Sequence, residues 1–203
     1  MSSRDDVLAS IRANLPRVDR PLPRVPLFDD DPPASLLDAF KVNLHRMGGL
    51  FLDPSASGDV LAPVREKIGD AKIVCSTVPE LPGNRDIAAV ATPHGLADVD
   101  YAIVRASFAV AETGSVLLSD ADLQLNAVAY LAQHLVVLLD PADVVLNLHH
   151  AYLRSEFRDR HYASFHTGPS ATADIEGVLI HGAQGVRSLS VILVGRAENP
   201  STH

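Results

Sequence analysis

The chain has 203 residues, 47% of them hydrophobic and 21% charged, which excludes disorder along most of its length and fits one domain with a substantial core. Its 25 acidic and 17 basic residues leave a net charge of -8, and no Lys/Arg-rich run forms a basic patch, so nucleic acid is not an expected partner. The single cysteine, Cys75, excludes an internal disulfide, a four-cysteine zinc site and an iron–sulfur cluster held by this chain alone.

Ser2 or Ser3 is expected to cap a first helix through about Asn14, where Val7, Leu8, Ile11 and Leu15 have helical spacing and Pro16 marks the end. Met1 to Pro16 carries Arg4, Asp5, Asp6 and Arg12 and lacks the apolar stretch of a secretory signal. The longest apolar run, Ala127–Ala132, falls far short of the ~20 residues that span a bilayer. A cytoplasmic chain without membrane insertion is expected. Six of the fourteen prolines lie between Pro16 and Pro33, so residues 1–33 read as a helix and an extended arm. A globular domain is expected over 34–195, with a tail at 196–203 that frays.

Leu36, Leu37, Phe40, Leu44 and Met47 predict a helix over Ala34–Met47, ended by Gly48 and Gly49. Strands are expected at Leu50–Leu52, Lys72–Thr77, Ile87–Ala91, Tyr101–Val104, Phe108–Leu118, His134–Leu139, Tyr162–His166 and Leu189–Val194. Helices are expected near Asp59–Ile68, Ala121–Ala132, Pro141–Phe157 and Thr172–Ile180. This alternation predicts an α/β fold. Crowding of two strands around Arg105–Ser107 implies a bend or tight connection and argues against a wholly parallel sheet.

Chemistry concentrates at two places. Glu112-Thr113-Gly114-Ser115 puts a carboxylate and two hydroxyls beside a glycine in an apolar strand. A buried Glu112 would be poised as an acid or base, whereas an accessible one could attack an acyl carbon; the structural alternative is a glutamate paired at a strand bend. His166-Thr167-Gly168-Pro169-Ser170-Ala171-Thr172 lies between a predicted strand and helix. There Ser170 or Thr172 could cap the helix and leave amides for a phosphate or carboxylate, while Asp174 and Glu176 could serve the helix dipole with no ligand. Gly182 reads as a helix cap and Gly185 as a loop glycine. The nine histidines show no metal-binding spacing, and no metal site is assigned. His150, Arg154 and Arg158 would form a positive stripe if the helix begun near Pro141 ran that far.

The segments Ala109-Val110-Ala111-Glu112-Thr113-Gly114-Ser115, Thr167-Gly168-Pro169-Ser170-Ala171-Thr172-Ala173-Asp174-Ile175-Glu176 and Gly182-Ala183-Gln184-Gly185-Val186-Arg187, followed by a last apolar strand, resemble the lactate-utilization protein C family, also called the LUD-domain family. The resemblance covers roughly Ala34 to Val194. It implies a three-layer α/β/α sandwich with a mostly parallel or mixed sheet, related to sugar-phosphate isomerases and CoA transferases, and a role in oxidising lactate to pyruvate. Ser107, Gln184 and Ala132 stand where relatives often carry an acidic residue, histidine and proline. The implied partners are subunits that carry the iron–sulfur clusters, with no cofactor bound by this chain. Its expected role is then to bind a small carboxylate, a cofactor or partner subunits. Glu112-Thr113-Gly114 also looks like the Glu-x-Gly element that carries the nucleophile of CoA transferases, which implies the alternative of a stand-alone acyl-transfer enzyme. Glu112 is the catalytic candidate; Thr113, Gly114, Ser115, Gly168, Pro169, Ser170 and Thr172 are the ligand-binding ones.

Overall fold

The computed structural model describes residues 3–16, 21–54, 58–174, 176–182 and 184–196. Ser2, part of the proline-rich arm and the tail beyond Arg196 lie outside the described residues, as do Ile175 and Ala183 of the family-like segments.

Helix α1 is Ser3–Asn14, with Asp5 and Asp6 in its first turn and Arg12 in its last, as the helix dipole favours; none of its residues is buried. Helix α2, Leu36–Arg46, starts where Ser35 Oγ accepts the Asp38 amide at 3.1 Å and buries Phe40 and Leu44. Then come β1 (Leu50–Leu52), α3 (Ala62–Ile68) and β2 (Val74–Ser76). The strand expected at Ile87–Ala91 is absent. Asp86 Oδ1 instead accepts the Ala88 amide in a local turn that competes with strand pairing, and a 3-10 turn follows at Pro93–Leu96.

Strand β3 (Tyr101–Arg105) passes through the short Ala106-Ser107 link into β4 (Phe108–Val110), so the tight connection expected there exists. The single strand expected over Phe108–Leu118 is a hairpin: β4 turns at Ala111–Gly114 into β5 (Ser115–Ser119). The predicted helix at Ala121–Ala132 is two single turns, α4 (Asp120–Leu123) and α5 (Val128–Leu131), broken where Gln124 takes φ 56°. After β6 (His134–Leu139), the predicted helix from Pro141 to Phe157 is replaced by β7 (Val144–Val145), α6 (Leu148–Ala151) and α7 (Ser155–Arg158). The β-branched Val144-Val145 pair joins β4, and Asn147 caps α6 by accepting the His150 amide at 3.1 Å. The positive stripe is thereby broken. Arg154 precedes α7 and turns to Asp143 and Glu156.

Strand β8 (Ala163–His166) is followed by β9 (Ala171–Thr172), β10 (Ile180–His181) and β11 (Ser188–Leu193). The helix expected at Thr172–Ile180 is a β9–β10 hairpin instead, with Glu176 and Gly177 at φ 54° and 70°, a left-handed pair that a helix cannot hold. Gly182, at φ 73°, is a turn residue after β10 and not a helix cap.

The main sheet has the order β1-β11-β6-β3-β2 and every pairing in it is parallel. The antiparallel pairings expected from the crowded strands fall in a second sheet, β7-β4-β5-β8, and in the β9–β10 pair. Side chains alternate faces in β6. Leu135, Val137 and Leu139 join Phe40, Leu44, Val116 and Leu118 between the two sheets, while Val136 and Leu138 pack with Val64 of α3 on the other side. Burying each such side chain contributes about 1.5–3 kcal/mol. The outer face of the second sheet, Phe108, Val110 and Leu117, packs with Ala151 and Phe157 of α6 and α7. The fold is therefore α/β, with helices on both sides of a parallel sheet. Cys75 is fully buried in β2, and that burial pushes its thiol pKa up. Among the described residues no helix is long and apolar enough to cross a membrane.

Candidate functional site

The last turn of α2 is a platform on which the first two of the three family-like segments rest. Asn43 Nδ2 donates to the Ala111 carbonyl at 2.8 Å, which holds the β4–β5 turn. Gly114 has φ 69°, and a Cβ there would lie 2.2 Å from the Leu44 amide nitrogen. Gly168 has φ 70°, and a Cβ there would lie 2.1 Å from the Met47 carbonyl oxygen. Both turns require glycine twice over, for their backbone angle and for their closeness to α2.

Between the turns sits a cluster of hydroxyls. Ser115 Oγ is 2.7 Å from Thr113 Oγ1 and 2.5 Å from Thr167 Oγ1, so segments 52 residues apart in sequence meet directly. Beside it opens a cavity of about 350 Å³ walled by Arg46, Glu112, Thr113, Ser115 and Thr167. Glu112 is exposed at the turn, so the buried acid considered from sequence is not what the fold builds; its Oε2 accepts the Leu148 amide at 3.2 Å. Arg46 is exposed as well, 3.5 Å from Asn43 Oδ1. A guanidinium and three hydroxyls around one space can hold a small carboxylate.

Gly168, Pro169 and Ser170 line a second cavity, also about 350 Å³, on the other side of Thr167, with Tyr130, His166 and Gly185. The two motifs are thus neighbours through Thr167, but Ser170 and Glu112 wall different spaces. The Ser170 amide donates to the Val186 carbonyl at 2.9 Å, so it is not free for an oxyanion, and the helix that was to present such amides does not form. Thr172 lies in neither cavity; its hydroxyl donates to Asp174 Oδ2 at 3.0 Å. Burial pushes the His166 pKa down to about 4. Among the described residues its buried Nε2 has no hydrogen-bond partner. The Tyr130 hydroxyl bonds to that of Tyr162 and lies 3.0 Å from Ser164 Oγ. Burial, then the Tyr130 contact, pushes the Tyr162 pKa up to about 12.

The arm reaches this region. Asn147 Nδ2 donates to the Leu27 and Phe28 carbonyls at 2.7 and 3.2 Å, and the Phe28 ring lies 4.7 Å from that of His149. A third cavity of about 310 Å³ lies between Phe28, Asn43, Glu112 and Asn147.

Two of the departures have local accounts. Ser107 donates to Asp122 Oδ2 at 2.6 Å, the same oxygen that accepts the Ser119 amide and hydroxyl, so an acidic side chain at 107 would face a carboxylate. Gln184 is exposed at the wall of the His166 cavity. Arg46, Asn43, Tyr130 and Asn147 carried no sequence signal as site residues, because each reads as an ordinary helix, cap or surface position.

The donor set does not fit a cluster: Cys75 is buried inside β2, and among the described residues no group of three His, Cys, Asp or Glu is gathered as a metal site would be.

The LUD domain matches residues 82–194, more than half of the chain. A solved structure of a DUF162 family protein from Deinococcus radiodurans superposes with a TM-score of 0.58 over 79% of this chain and 96% of that one, at 17% identity, a likeness that bears on the fold alone. No curated protein matches the sequence.

Proposed function

The chain belongs to the LUD-domain family, and from that premise we propose that it is a cytoplasmic, non-redox subunit of an iron–sulfur-dependent complex that oxidises lactate to pyruvate. The observation that carries the substrate side of this reading is the cavity that sets Arg46 beside the Thr113, Ser115 and Thr167 hydroxyls. Arg46 pairs with the carboxylate of the hydroxy acid, the hydroxyls take up its remaining lone pairs, and Glu112 accepts a hydrogen bond from the substrate hydroxyl. Oxidation of lactate to pyruvate releases two electrons and two protons. With one buried cysteine, this chain leaves the electrons to clusters on partner subunits and contributes binding and orientation.

Titration calorimetry tests the substrate side. Lactate should bind more tightly than propionate, which lacks the hydroxyl, and Arg46→Gln should weaken lactate at least about tenfold. Tagged chain isolated from its native cell should bring with it iron-containing subunits that reduce a dye when lactate is added. Absence of lactate binding together with iron-free eluates would reject the reading.

An exposed carboxylate at the cavity rim also suits acyl transfer. Here Glu112 would attack a thioester carbonyl, the C–S bond would break, the thiolate would leave, and an acyl anhydride would remain on Glu112. Mass spectrometry after incubation with acyl-CoA separates the two: an adduct on Glu112, absent from Glu112→Gln, supports transfer, and an unmodified chain supports the binding subunit.

A further inference from the structure

The cavity on the far side of Thr167 differs in kind from the one assigned to the carboxylate. None of its described lining residues is Asp, Glu, Lys or Arg. Its walls are the rings of Tyr130 and His166, whose centroids are 5.1 Å apart at 48°, with Pro169 and Gly185 around them. Its polar groups are hydroxyls and an amide: Thr167, Ser170 and Gln184. The backbone of Ser170 is used within the protein, its amide by Val186 and its carbonyl by the Gly182 amide at 2.6 Å, which leaves the side chain for a ligand. Gly185 lies against Ser170, where a Cβ would come 3.0 Å from the serine Cβ.

None of the described lining residues supplies a counter-charge for an anion, which disfavours a carboxylate or phosphate there relative to an uncharged ligand. The flat walls instead favour a flat ligand, through offset or edge contacts with two rings. His166 adds a second mark. Its buried Nε2 has no hydrogen-bond partner among the described residues, whereas most buried polar atoms have one. Burial also keeps this imidazole neutral at pH 7, with one donor and one acceptor nitrogen. A cavity of about 350 Å³ lies in the range that takes small organic ligands.

We infer that the Tyr130–His166 cavity is a second binding site, for an uncharged planar heterocycle with a carboxamide or lactam edge, the chemistry of a nucleobase or of a pyridine carboxamide. The ring packs on Tyr130 and His166, and its amide edge meets Ser170 and Gln184. The site is independent of the lactate reading, since it shares only Thr167 with the Arg46 cavity.

Nicotinamide and nicotinate form a matched pair for the test, equal in shape and different in charge. In ligand-observed NMR titrations of the full chain at pH 7, nicotinamide should bind at least about tenfold more tightly than nicotinate. His166→Ala, which removes the ring on which the ligand packs, should weaken nicotinamide at least about tenfold. Arg46→Gln should leave nicotinamide binding unchanged while weakening lactate, so failure of either site shows separately. Binding of neither pyridine, or tighter binding of nicotinate, would overturn the inference. That comparison on the unmodified chain decides the matter whether or not the His166 variant folds.

Discussion

The two cavities that flank Thr167 have the same volume and rest against the same helical platform, yet one is walled by Arg46 and Glu112 and the other by Tyr130 and His166. The difference follows from where their walls come from. Arg46 ends an amphipathic helix and Glu112 tops a hairpin turn, exposed positions where a charge keeps its water at little cost. His166 sits at the end of β8, where desolvation removes the charge. The cavity proposed for an anion thus lies beside one whose described lining carries no Asp, Glu, Lys or Arg.

The largest effect should come from breaking the support both share. Gly114→Ala or Gly168→Ala would force a Cβ against the α2 backbone at a positive φ, costing on the order of 4 kcal/mol. Urea unfolding would measure it. A loss below about 1 kcal/mol would mean that the turns do not press on α2.

A smaller effect separates the cavities by pH. Because the folded His166 pKa is held near 4, below the 6.5 of an unperturbed imidazole, the unfolded chain binds its proton first as pH falls. The contribution of neutral His166 is fully present above about pH 6.5 and is lost as pH drops toward 4, a change on the order of 3 kcal/mol. Subtracting the His166→Phe curve from that of the unmodified chain should isolate this slope; identical curves would show that His166 is not desolvated.

The smallest effect concerns the arm, whose described residues Leu27 and Phe28 meet the Glu112 side. Asn147→Ala removes the hydrogen bonds to the Leu27 and Phe28 carbonyls together with the cap of α6, and should cost about 1–2 kcal/mol. Hydrogen exchange and limited proteolysis near Phe28 should speed up, while nicotinamide binding stays unchanged. Equal protease sensitivity in both chains would mean that the arm is not held there.

The contrast also explains what could be read in advance. Strands buried on both faces announce themselves as apolar runs, and β6 lies where His134–Leu139 predicts it. The site region misled because helical spacing of apolar residues also arises from short strands and single turns. Thr172–Ile180 and Pro141–Phe157 have that spacing, but left-handed Glu176-Gly177 and the pairing of Val144-Val145 with β4 decide otherwise. The Glu112 and Gly168 motifs were visible as residues. Their meeting through Ser115 and Thr167 was not, because it depends on α2, whose Asn43 and Arg46 look like ordinary polar positions on a helix.

The most direct measurement is a crystal structure of the chain with lactate. Its carboxylate should lie within about 3.2 Å of the Arg46 guanidinium and of the Ser115 or Thr167 hydroxyl, with the Tyr130–His166 cavity free of the acid. Lactate density between Tyr130 and His166 instead, or none beside Arg46 when calorimetry shows saturation, would contradict the assignment of the anion to the charged cavity.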